Sequence, residues 1–430
     1  MTARIRVCVV GAGVTGLVAI RELVDAGCEV QAYERTDDVI GVWADVYDSV
    51  QLLTPREATS FRGYPMPESY PQFPTGEQYR QYIRWFADAA GLRQYISFNT
   101  EVVATTPING GTDGWSVELA DGTVEHFDVL VAAHGHLRAA RIPEYPGTFT
   151  GKQLHTSQYR NQDDFEGERV LVVGSGNSAC DMVTDAIASG RSAMMSLRSG
   201  TWFVPQSFFG TPRGNLDFLK HVPFGTLDDF NRFLVKATVG VPSSYGFPEP
   251  ANDDWASTPP TFSTLIPYWA QRGRVRAVPE IARFAGDLVH FTDGSVEKVD
   301  TIIWATGYRA PVPFAPEGVV SEIGGFPARI VGGLISADAD NFYYSGMCSP
   351  RGGAPHNYGL GAQTIAKLVL ARAALGERLS ETVFAGETPS GRMDWLLPVW
   401  IKELEAAEAR LDAALADAAQ QDAEQELLSA

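Results

Sequence analysis

The sequence predicts an α/β fold that contains two related units, each built around a buried strand, a glycine-rich turn and a helix. The stretch VCVVGAGVTGLV at residues 7–18 is echoed by VLVVGSGNSACD at residues 170–181. A second repeat follows each stretch: DGTVEHFDVLVAAHG at residues 121–135 and DGSVEKVDTIIWATG at residues 293–307. Both begin with an Asp-Gly hairpin signal and end in a buried apolar strand. The two repeats therefore indicate one architecture used twice.

The first unit predicts a strand at residues 7–10, because a continuous apolar run suits a strand that is covered on both faces. Three glycines follow with G-x-G-x-x-G spacing: Gly11, Gly13 and Gly16. They allow a tight turn, the approach of a pyrophosphate and close packing of helix on strand. A helix over 17–26 and a strand over 29–33 lead to Glu34, 23 residues after Gly11. An acid at about that spacing binds ribose hydroxyls, so this unit predicts a dinucleotide site.

The second unit repeats this order with a strand at residues 170–173, a turn, a helix and a strand at residues 193–197. The turn residues are Gly174, Gly176, Asn177, Ser178 and Ala179. At the position of Glu34, this unit has Arg198 followed by Ser199. A carboxylate repels a 2′-phosphate, whereas a guanidinium offers it a planar fork.

The first site therefore suits FAD or NAD, and the second suits NADP. Asn177 and Ser178 are the turn residues that we expect to contact the second dinucleotide. The alternative for Arg198 is an ordinary surface charge at the end of a strand.

Composition narrows the classes of partner. The chain has 430 residues, 45% of them hydrophobic, and a formal net charge of −18. The acidic balance argues against nucleic acid, whose binding needs clustered Lys and Arg, and against an anionic membrane surface. The longest apolar run, residues 7–20, is interrupted by glycines and is too short for a membrane helix. None of the four cysteines forms a C-x-x-C pair, which suits reduced thiols and a cytoplasmic protein.

Further motifs lie around the second unit. Residues 149–159 read FTGKQLHTSQY and fit the pattern F-x-G-x-x-x-H-x-x-x-Y. In this motif the chain resembles a known family, the class B flavin-dependent monooxygenases. The matching residues are Phe149, Gly151, His155 and Tyr159. Residues 304–308, WATGY, resemble the A-T-G-Y element, and Gly41-Val42-Trp43 resembles the G-G-x-W stretch. The similarity runs from about Arg4 to Leu375.

The resemblance implies two nested Rossmann-like dinucleotide-binding domains. An FAD-binding domain at residues 1–164 and 299–430 would be split by an NADPH-binding domain at residues 165–298. It further implies that NADPH reduces FAD, that O2 as co-substrate forms a C4a-hydroperoxyflavin, and that one oxygen passes to a small organic substrate. We see neither a hydrolytic triad signature nor metal-ligand spacing, so no metal is expected.

The resemblance also bears on the reaction subtype. Tyr159 favours the flavin-containing monooxygenases, because Baeyer–Villiger members usually carry tryptophan there. Leu53 stands where many N- and S-oxygenating members place an asparagine beside the flavin. Here the chain looks more like bacterial and plant relatives of the indole-pyruvate monooxygenases. Leu53 cannot form that asparagine's hydrogen bond, so its role would fall to Thr54, NADP or water.

N- or S-oxygenation is the predicted reaction. Baeyer–Villiger or oxidative-decarboxylation attack on a carbonyl is one alternative, and an NADPH oxidase or redox-sensing flavoprotein is another. A flavin disulfide reductase would need a redox dithiol, which the sequence lacks.

The remaining predictions concern the surroundings of the flavin. We expect His155 and His134 to be structural. The run SPRGGAPHNYGLGAQ at residues 349–363 would precede a helix over 362–375, with the backbone at 357–363 capping the isoalloxazine; a surface loop is the alternative. Predicted cofactor contacts beyond the two turns are Trp43, Thr54, Val103 and Gln363.

Two segments have less specific patterns. Residues 203–260 are rich in Phe, Pro and Gly and would contain short helices that line a substrate channel, or form a packing or oligomer surface. Residues 394–428 predict a helical tail with an apolar stripe. This tail would pack on the body or contribute to a homodimer.

Overall fold

The computed structural model describes residues 4–216 and 224–429, and it has two parallel sheets of similar strand order. The first sheet has the order β24-β25-β26-β7-β1-β2-β3. Its strands are β1 (Arg6–Val10), β2 (Glu29–Tyr33), β3 (Ile96–Ser97), β7 (Val129–Ala132), β24 (Arg329–Ile330), β25 (Ile335–Ser336) and β26 (Phe342–Tyr344). β1 pairs in parallel with β2 and β7, and β7 pairs in parallel with β26. Only the β24-β25-β26 edge is antiparallel.

The second sheet has the order β16-β11-β10-β20-β9, and its pairs are all parallel. Its strands are β9 (Lys152–His155), β10 (Arg169–Val173), β11 (Ser192–Ser196), β16 (Val275–Val278) and β20 (Thr301–Trp304). The strands β10 and β20 occupy the places that β1 and β7 occupy in the first sheet. The fold class predicted from the sequence, two nested Rossmann-like domains, is confirmed.

Each sheet carries its own antiparallel meander, as the Asp-Gly repeats predict. The strands are β4 (Val102–Pro107), β5 (Trp115–Leu119) and β6 (Val124–Phe127) in the first half, and β17 (Ile281–Ala285), β18 (Leu288–Phe291) and β19 (Val296–Lys298) in the second. Five short pairs complete the strands: β8 (Ala139–Ala140) with β21 (Tyr308–Arg309), β12 (Phe203–Val204) with β15 (Thr261–Phe262), β13 (Ser207–Phe208) with β14 (Thr211–Pro212), β22 (Glu322–Ile323) with β23 (Phe326–Pro327), and β27 (Ser349–Pro350) with β28 (Asp394–Trp395).

Helices cover the sheets. They are α1 (Val14–Asp25), α2 (Gly76–Ala89), α3 (Asn177–Ala188), α4 (Phe224–Thr238), α5 (Leu265–Ala270), α6 (Ala354–Leu375) and α7 (Leu397–Ser429). Short 3₁₀ segments lie at Gly41–Ala44, Arg93–Tyr95, Ile108–Gly111, Gln162–Asp164, Arg213–Asn215 and Pro242–Tyr245. Across residues 4–216 and 224–429, no helix combines the length and the apolar character that a bilayer crossing requires.

The second sheet takes two of its strands from outside residues 165–298, the predicted NADPH-binding domain. These strands are β9 and β20. β9 fills the outer position that β26 fills in the first sheet, but it comes from the chain before the glycine-rich turn. The strands β8 and β21, on the outgoing and returning chain, pair side by side. The division into 1–164, 165–298 and 299–430 stays a prediction, and the second sheet itself spans 152–304.

The long C-terminal helix packs through the stripe that the sequence shows. Leu404 and Leu411 of α7 are buried in the same core as Trp400, while Leu415 lies at its edge. The core joins α7 to α1 and α6 on one face of the first sheet. Beyond Leu415, most of the described side chains of α7 are half-buried or exposed.

Candidate active site

The first glycine-rich turn has two glycines that the fold itself requires. Gly11 has a φ of +98°, and a Cβ there would stand 2.8 Å from the carbonyl oxygen of Ala133 at the end of β7. A Cβ at Gly16 would overlap the carbonyl oxygen of Gly11. Gly13 is different, because its φ of −70° suits any residue and its nearest neighbour would be Gly41 Cα at 3.4 Å. The fold itself therefore leaves room for a side chain at Gly13.

The acid predicted for this site lies against the same turn. Glu34 is 2% exposed, and its Oε2 accepts a hydrogen bond from the Ala12 amide at 2.9 Å. Its Oε1 accepts from the amide and the hydroxyl of Thr36 at 3.0 and 2.9 Å. The carboxylate is thus fixed at the carboxyl end of β2, beside the backbone of the turn.

The segment that carries Trp43 packs onto this turn. It forms a short 3₁₀ helix, Gly41–Ala44, and Gly41 faces Gly13. Trp43 is partly exposed and lies edge-on to Tyr79 of α2, with ring centroids 4.6 Å apart. The structure therefore brings the G-V-W stretch to the first turn, where the resemblance implies the cofactor.

Val103 lies on β4, in the meander of the first half. Its side chain is 44% exposed on β4, two residues after Glu101. The same region holds Arg138, which the sequence did not single out. Burial lowers the pKa of Arg138, and the carboxylates of Glu34 and Glu101 oppose that shift. No local motif marks Arg138, because only the fold brings it near Glu34.

In the second glycine-rich turn, too, the fold requires one glycine and leaves space around another. Gly174 has a φ of +124°, and a Cβ there would overlap the carbonyl oxygen of Ala305 after β20. Ala179 is completely buried. Gly176 has a φ of −73°, and a Cβ there would meet no atom within 4 Å. An open bare backbone at the N-terminus of α3 fits a phosphate.

Of the other residues predicted for the second site, two are exposed to solvent and one is hydrogen-bonded within the protein. Arg198 and Ser199 are exposed just beyond β11, and no ion pair or hydrogen bond engages the Arg198 guanidinium within the described part of the chain. Asn177 Oδ1 accepts from the Phe262 amide at 2.9 Å, so this side chain fastens residues 261–262 to the turn. The Ser178 hydroxyl lies near that of Tyr47 from the first half. The side chain of Asn177 thus already has a protein partner.

The motif at residues 149–159 joins the two halves. His155 ends β9, and its Nε2 lies 3.1 Å from the carbonyl oxygen of Gly307 while its Nδ1 lies 2.9 Å from the hydroxyl of Ser157. Its ring is edge-on to Tyr308 at 4.9 Å. Burial lowers the pKa of His155, and the bond to Gly307 opposes that shift. These contacts tie β9 to the A-T-G-Y element.

His134 lies at the end of β7, close to Gly11. Its Nε2 is 2.9 Å from the carbonyl oxygen of Pro311, and its ring is edge-on to Phe314. Burial lowers the pKa of His134 to about 4, so the imidazole is neutral at pH 7. A neutral ring packed on an aromatic side chain agrees with a structural role.

The predicted start of helix α6 at residue 362 is wrong. The helix begins at Ala354, so residues 357–363 lie within it and not in a loop before it. A glycine suits position 361 within the helix, because a Cβ there would press on Trp400 of α7 at 3.1 Å. Gln363 lies more than two turns into the helix; its Oε1 accepts from Arg62 at 2.7 Å, and it lines a groove with the C-terminal end of α1. Gln363 therefore lies in the interior of α6 and not at its N-terminal end, and its contact with a cofactor stays a prediction.

The true N-terminus of α6 lies against the segment with Leu53 and Thr54. A Cβ at Gly353 would overlap the carbonyl oxygen of Ala58. Thr54 Oγ1 lies 2.6 Å from Thr59 Oγ1, which in turn hydrogen-bonds the carbonyl oxygen of Pro55 at 3.0 Å. The structure therefore brings the predicted flavin-proximal residues to the N-terminus of a 22-residue helix, where a partial positive charge lies.

Residues 203–262 lie between this helix terminus and the second turn. Their own apolar cluster contains Trp202, Val204, Phe208, Leu234 and Trp255. They carry short strands and α4 rather than only short helices, and residues 217–223 lie outside the described residues. At one side Phe262 is held by Asn177, and at the other the carbonyl oxygens of Trp255 and Ala256 accept from Arg351. Arg351 immediately precedes α6, and the sequence did not single it out.

Comparison with known proteins agrees with the family that the sequence motifs resemble. A family model described as "FMO-like: Flavin-binding monooxygenase-like" matches residues 4–223. Dimethylaniline monooxygenase [N-oxide-forming] 2 of Macaca mulatta is 32% identical over 345 residues, and Flavin-containing monooxygenase 3 of Pan troglodytes is 31% identical over 351 residues. These matches cover 73% and 74% of this chain. The chain spans 64% of the length of either relative.

Solved structures show the same fold at lower identity. S-allyl-L-cysteine S-oxygenase from Allium sativum is 21% identical with a TM-score of 0.62, covering 96% of this chain and 83% of that chain. Cyclohexanone monooxygenase from Rhodococcus sp. Phi1, bound to NADP+, is 16% identical with a TM-score of 0.69, covering 96% of this chain and 98% of that chain. The family model spans just over half of the 430 residues, and its range contains both glycine-rich turns. The chain belongs to the flavin-binding monooxygenase-like family.

Proposed function

We propose that this protein is an NADPH-dependent monooxygenase that holds FAD at the first turn and NADPH at the second. It inserts one atom of O2 into a small organic substrate by N- or S-oxygenation. The observation that carries this proposal is the pair of open glycines, Gly13 and Gly176, combined with opposite charges at Glu34 and Arg198. One chain then presents two dinucleotide sites that differ in the ribose substituent they accept.

The residues of the first half fit FAD. The amides of the turn and the N-terminus of α1 would hold its pyrophosphate, and Glu34 would accept from ribose hydroxyls. Trp43 and Thr54 would flank the flavin. When bound, reduced FAD supplies the activation of O2 from which the substrate receives its oxygen.

The residues of the second half fit NADPH. The N-terminus of α3 would hold the pyrophosphate beside Gly176. Arg198 would pair with the 2′-phosphate, because its guanidinium is exposed and its fork matches a phosphate. Ser199 would add a hydroxyl donor.

The protein's own contribution is to orient the reactants and to exclude water. The N-terminus of α6 would stabilise negative charge on the flavin ring. Leu53 offers no hydrogen bond, so it would contribute apolar shielding beside Thr54. Residues 203–262 would close the space between the sites, since they are fastened to Asn177 on one side and to Arg351 on the other. Exclusion of water favours oxygen transfer over release of H2O2.

N- or S-oxygenation is preferred because relatives at 31–32% identity are named for N-oxide formation or as flavin-containing monooxygenases. Leu53 is the observation that favours the alternative, a carbonyl substrate in a Baeyer–Villiger or oxidative-decarboxylation reaction. An NADPH oxidase or redox sensor would bind the same cofactors and transfer no oxygen.

Labelled dioxygen separates these functions. The FAD-loaded protein would be supplied with NADPH, ¹⁸O2 and a panel containing a tertiary amine, a sulfide, a ketone and a 2-oxo acid. We expect ¹⁸O in the amine oxide or sulfoxide. Label only in an ester or decarboxylated product would support the carbonyl alternative. NADPH oxidation that yields H2O2 and no labelled product across the panel would refute monooxygenation.

The compartment and the partners of the enzyme are proposed from its cysteines, its charge and the exposed end of α7. The four cysteines are buried and unpaired, which suits a reducing compartment, and we propose a cytoplasmic location. The net charge of −18 supports a small-molecule substrate rather than nucleic acid or a membrane surface. The exposed end of α7 is the surface that we propose for a homodimer contact, which the molar mass in solution would test.

A further inference from the structure

Two carboxylates of α3 form a buried contact with the first half of the protein. Tyr47 donates to Asp181 Oδ2 at 2.6 Å, and Ser49 donates to Asp185 Oδ2 at 2.7 Å. Tyr159, the last residue of the F-x-G-x-x-x-H-x-x-x-Y motif, also donates to Asp185 Oδ2, at 2.9 Å. Asp181 and Asp185 are four residues apart and therefore lie on one face of the helix. A pair of acids thus joins the second half to residues 47–49.

The donors in this contact are hydroxyl groups. Among residues 4–216 and 224–429, no lysine or arginine forms an ion pair with Asp181 or Asp185. The titratable groups that act on Asp181 are Tyr47 from the first half and Asp185 and Cys180 from its own helix. Those that act on Tyr159 are Asp185, Asp164 and Arg191. Two acids without a cation are costly to ionise together when they are buried.

Asp181 is the member of the pair that is poised to take a proton. Burial raises its pKa to about 6; the hydrogen bond from Tyr47 opposes this shift and the charge of Asp185 adds to it. Asp181 is the fifth residue of α3, about 6 Å along the helix axis from Asn177. It therefore lies within about one Debye length of anything bound at the helix N-terminus.

A short segment of the chain connects this contact to the first site. Tyr47 follows Trp43 by four residues, and the segment between them is held by Arg160, which donates to the carbonyl oxygen of Val46 at 2.8 Å. The Asp48 amide donates to the carbonyl oxygen of Arg160 at 2.9 Å. Residues 44–49 thus span from the 3₁₀ helix beside the first turn to α3 beside the second.

We propose that Asp181 and Tyr47 are positioning residues that couple the two cofactor sites: a dinucleotide phosphate at the second turn drives proton uptake by the Asp181 carboxyl and weakens its hydrogen bond to Tyr47. The inference rests on the proposed function, because it takes the second turn as a phosphate site. The phosphate adds negative charge near Asp181 and favours its neutral form. A neutral hydrogen bond is roughly half as strong as a charged one. The segment that carries Trp43 is therefore held less firmly when NADP(H) is bound.

Calorimetry measures the proton directly. NADP+ would be titrated into the FAD-loaded protein between pH 6 and pH 7 in two buffers of different ionisation enthalpy, and the difference in heat gives the protons taken up. The 2′-phosphate of NADP+ itself titrates at about pH 6, so the uptake by Asp181 is the difference between the wild type and Asp181→Asn. We expect this difference to be on the order of half a proton per NADP+. Asp181→Asn keeps the shape and can still accept from Tyr47, so it should bind NADP+ without this uptake. Glu168→Gln, which changes an exposed acid of the same half, should retain it.

A second variant tests the coupling at Tyr47. Tyr47→Phe removes the donor that favours the Asp181 carboxylate, so the uptake should move to higher pH. A merely structural tyrosine would lower the melting temperature without moving this pH profile. Wild-type and Asp181→Asn proteins that bind NADP+ with the same net proton uptake would overturn the coupling alone. Wild-type protein that binds no NADP+ would overturn the proposed function as well.

Discussion

Arg351 and Asp394 form a forked ion pair immediately before helix α6. Nε of Arg351 donates to both carboxylate oxygens of Asp394, at 2.9 and 3.1 Å, and Nη2 donates to the same carboxylate. The remaining donors of the guanidinium reach the carbonyl oxygens of Trp255 and Ala256. One side chain therefore joins the N-terminal end of α6, the strand β28 and the segment at residues 203–262.

Replacing Arg351 by alanine should separate these three segments. We expect a loss of about 1–3 kcal/mol in the free energy of unfolding, because several charge-assisted hydrogen bonds disappear. We also expect a larger share of the oxidised NADPH to appear as H2O2, because water gains access between the sites. Urea unfolding and a peroxide assay measure the two effects. Arg93→Ala, which breaks an exposed ion pair with Asp88, is the control. If the variant released no more H2O2 per NADPH than the wild type, this would contradict the role given to Arg351.

Arg198 should decide the preference for NADPH over NADH. Arg198→Ala removes the cation proposed to pair with the 2′-phosphate, so the KM for NADPH should rise about 10–100-fold. The KM for NADH should change little, since NADH has no such phosphate. Arg276→Ala on the neighbouring strand, where the native arginine pairs with Glu297, should affect neither. Equal increases for both dinucleotides would show that Arg198 is only a surface charge.

The two glycines of the second turn should respond differently to the same substitution. The Cβ that Gly176→Ala adds would meet no atom of the described residues within 4 Å, and the φ at this position is ordinary. The unliganded protein should therefore keep its stability or gain up to about 1 kcal/mol. Its affinity for NADP+ should fall about tenfold or more, a cost of at least ~1.4 kcal/mol, because the added methyl group occupies the approach of the pyrophosphate.

Gly174→Ala should instead lose more than about 2 kcal/mol of stability, because its φ is +124° and a Cβ would overlap Ala305. Thermal unfolding and fluorescence titration with NADP+ distinguish the two variants. An unchanged affinity in Gly176→Ala would mean that the open face of the turn holds no phosphate.

Asp300 should make the start of the second sheet sensitive to acid. Its Oδ2 accepts from Nε of Arg169 at 3.0 Å and from the amides of Glu168 and Arg169 at 2.9 Å. The Arg169 guanidinium lowers the pKa of Asp300 to about 2, and burial opposes this shift. A carboxyl group with a lowered pKa stabilises the fold fully above its ordinary value near pH 4 and loses this contribution as the pH falls toward 2.

Asp300→Asn should therefore cost about 1–2 kcal/mol at pH 7, after allowance for solvent screening, and progressively less between pH 4 and pH 2. Urea unfolding across this range measures the difference. Asp287→Asn, which changes a solvent-exposed pair with Lys298, should give no measurable change. If the loss in the free energy of unfolding stayed constant with pH, the hydrogen bonds would not depend on the charge of Asp300.

The predictable part of the fold is the part with local sequence patterns. The strand–turn–helix units around Gly11 and Gly174 and the Asp-Gly meanders follow from apolar runs, glycine spacing and turn residues, and the structure has them. Strand β9 was missed because its residues, KQLH, alternate too little to predict a strand. Only pairing with β20 makes it one.

The errors at α6 and the missed arginines have a different origin. Gly359 and Gly361 favour a loop on local propensity, but the close approach of Trp400 makes a glycine suitable within the helix. Arg138 and Arg351 act through partners that are 104 and 43 residues away, Glu34 and Asp394 respectively. Sequence spacing within one element cannot reveal such contacts.

The pairing of β7 with β26 has a consequence for biosynthesis. Leu130 pairs with Phe342, and α1 packs against α6, so the first half is completed only by residues near the end of the chain. The second sheet uses nothing beyond Trp304. On the ribosome, the inner half can close while the apolar face of α1 is still uncovered. In the nascent chain, that face therefore stays open to aggregation until α6 emerges.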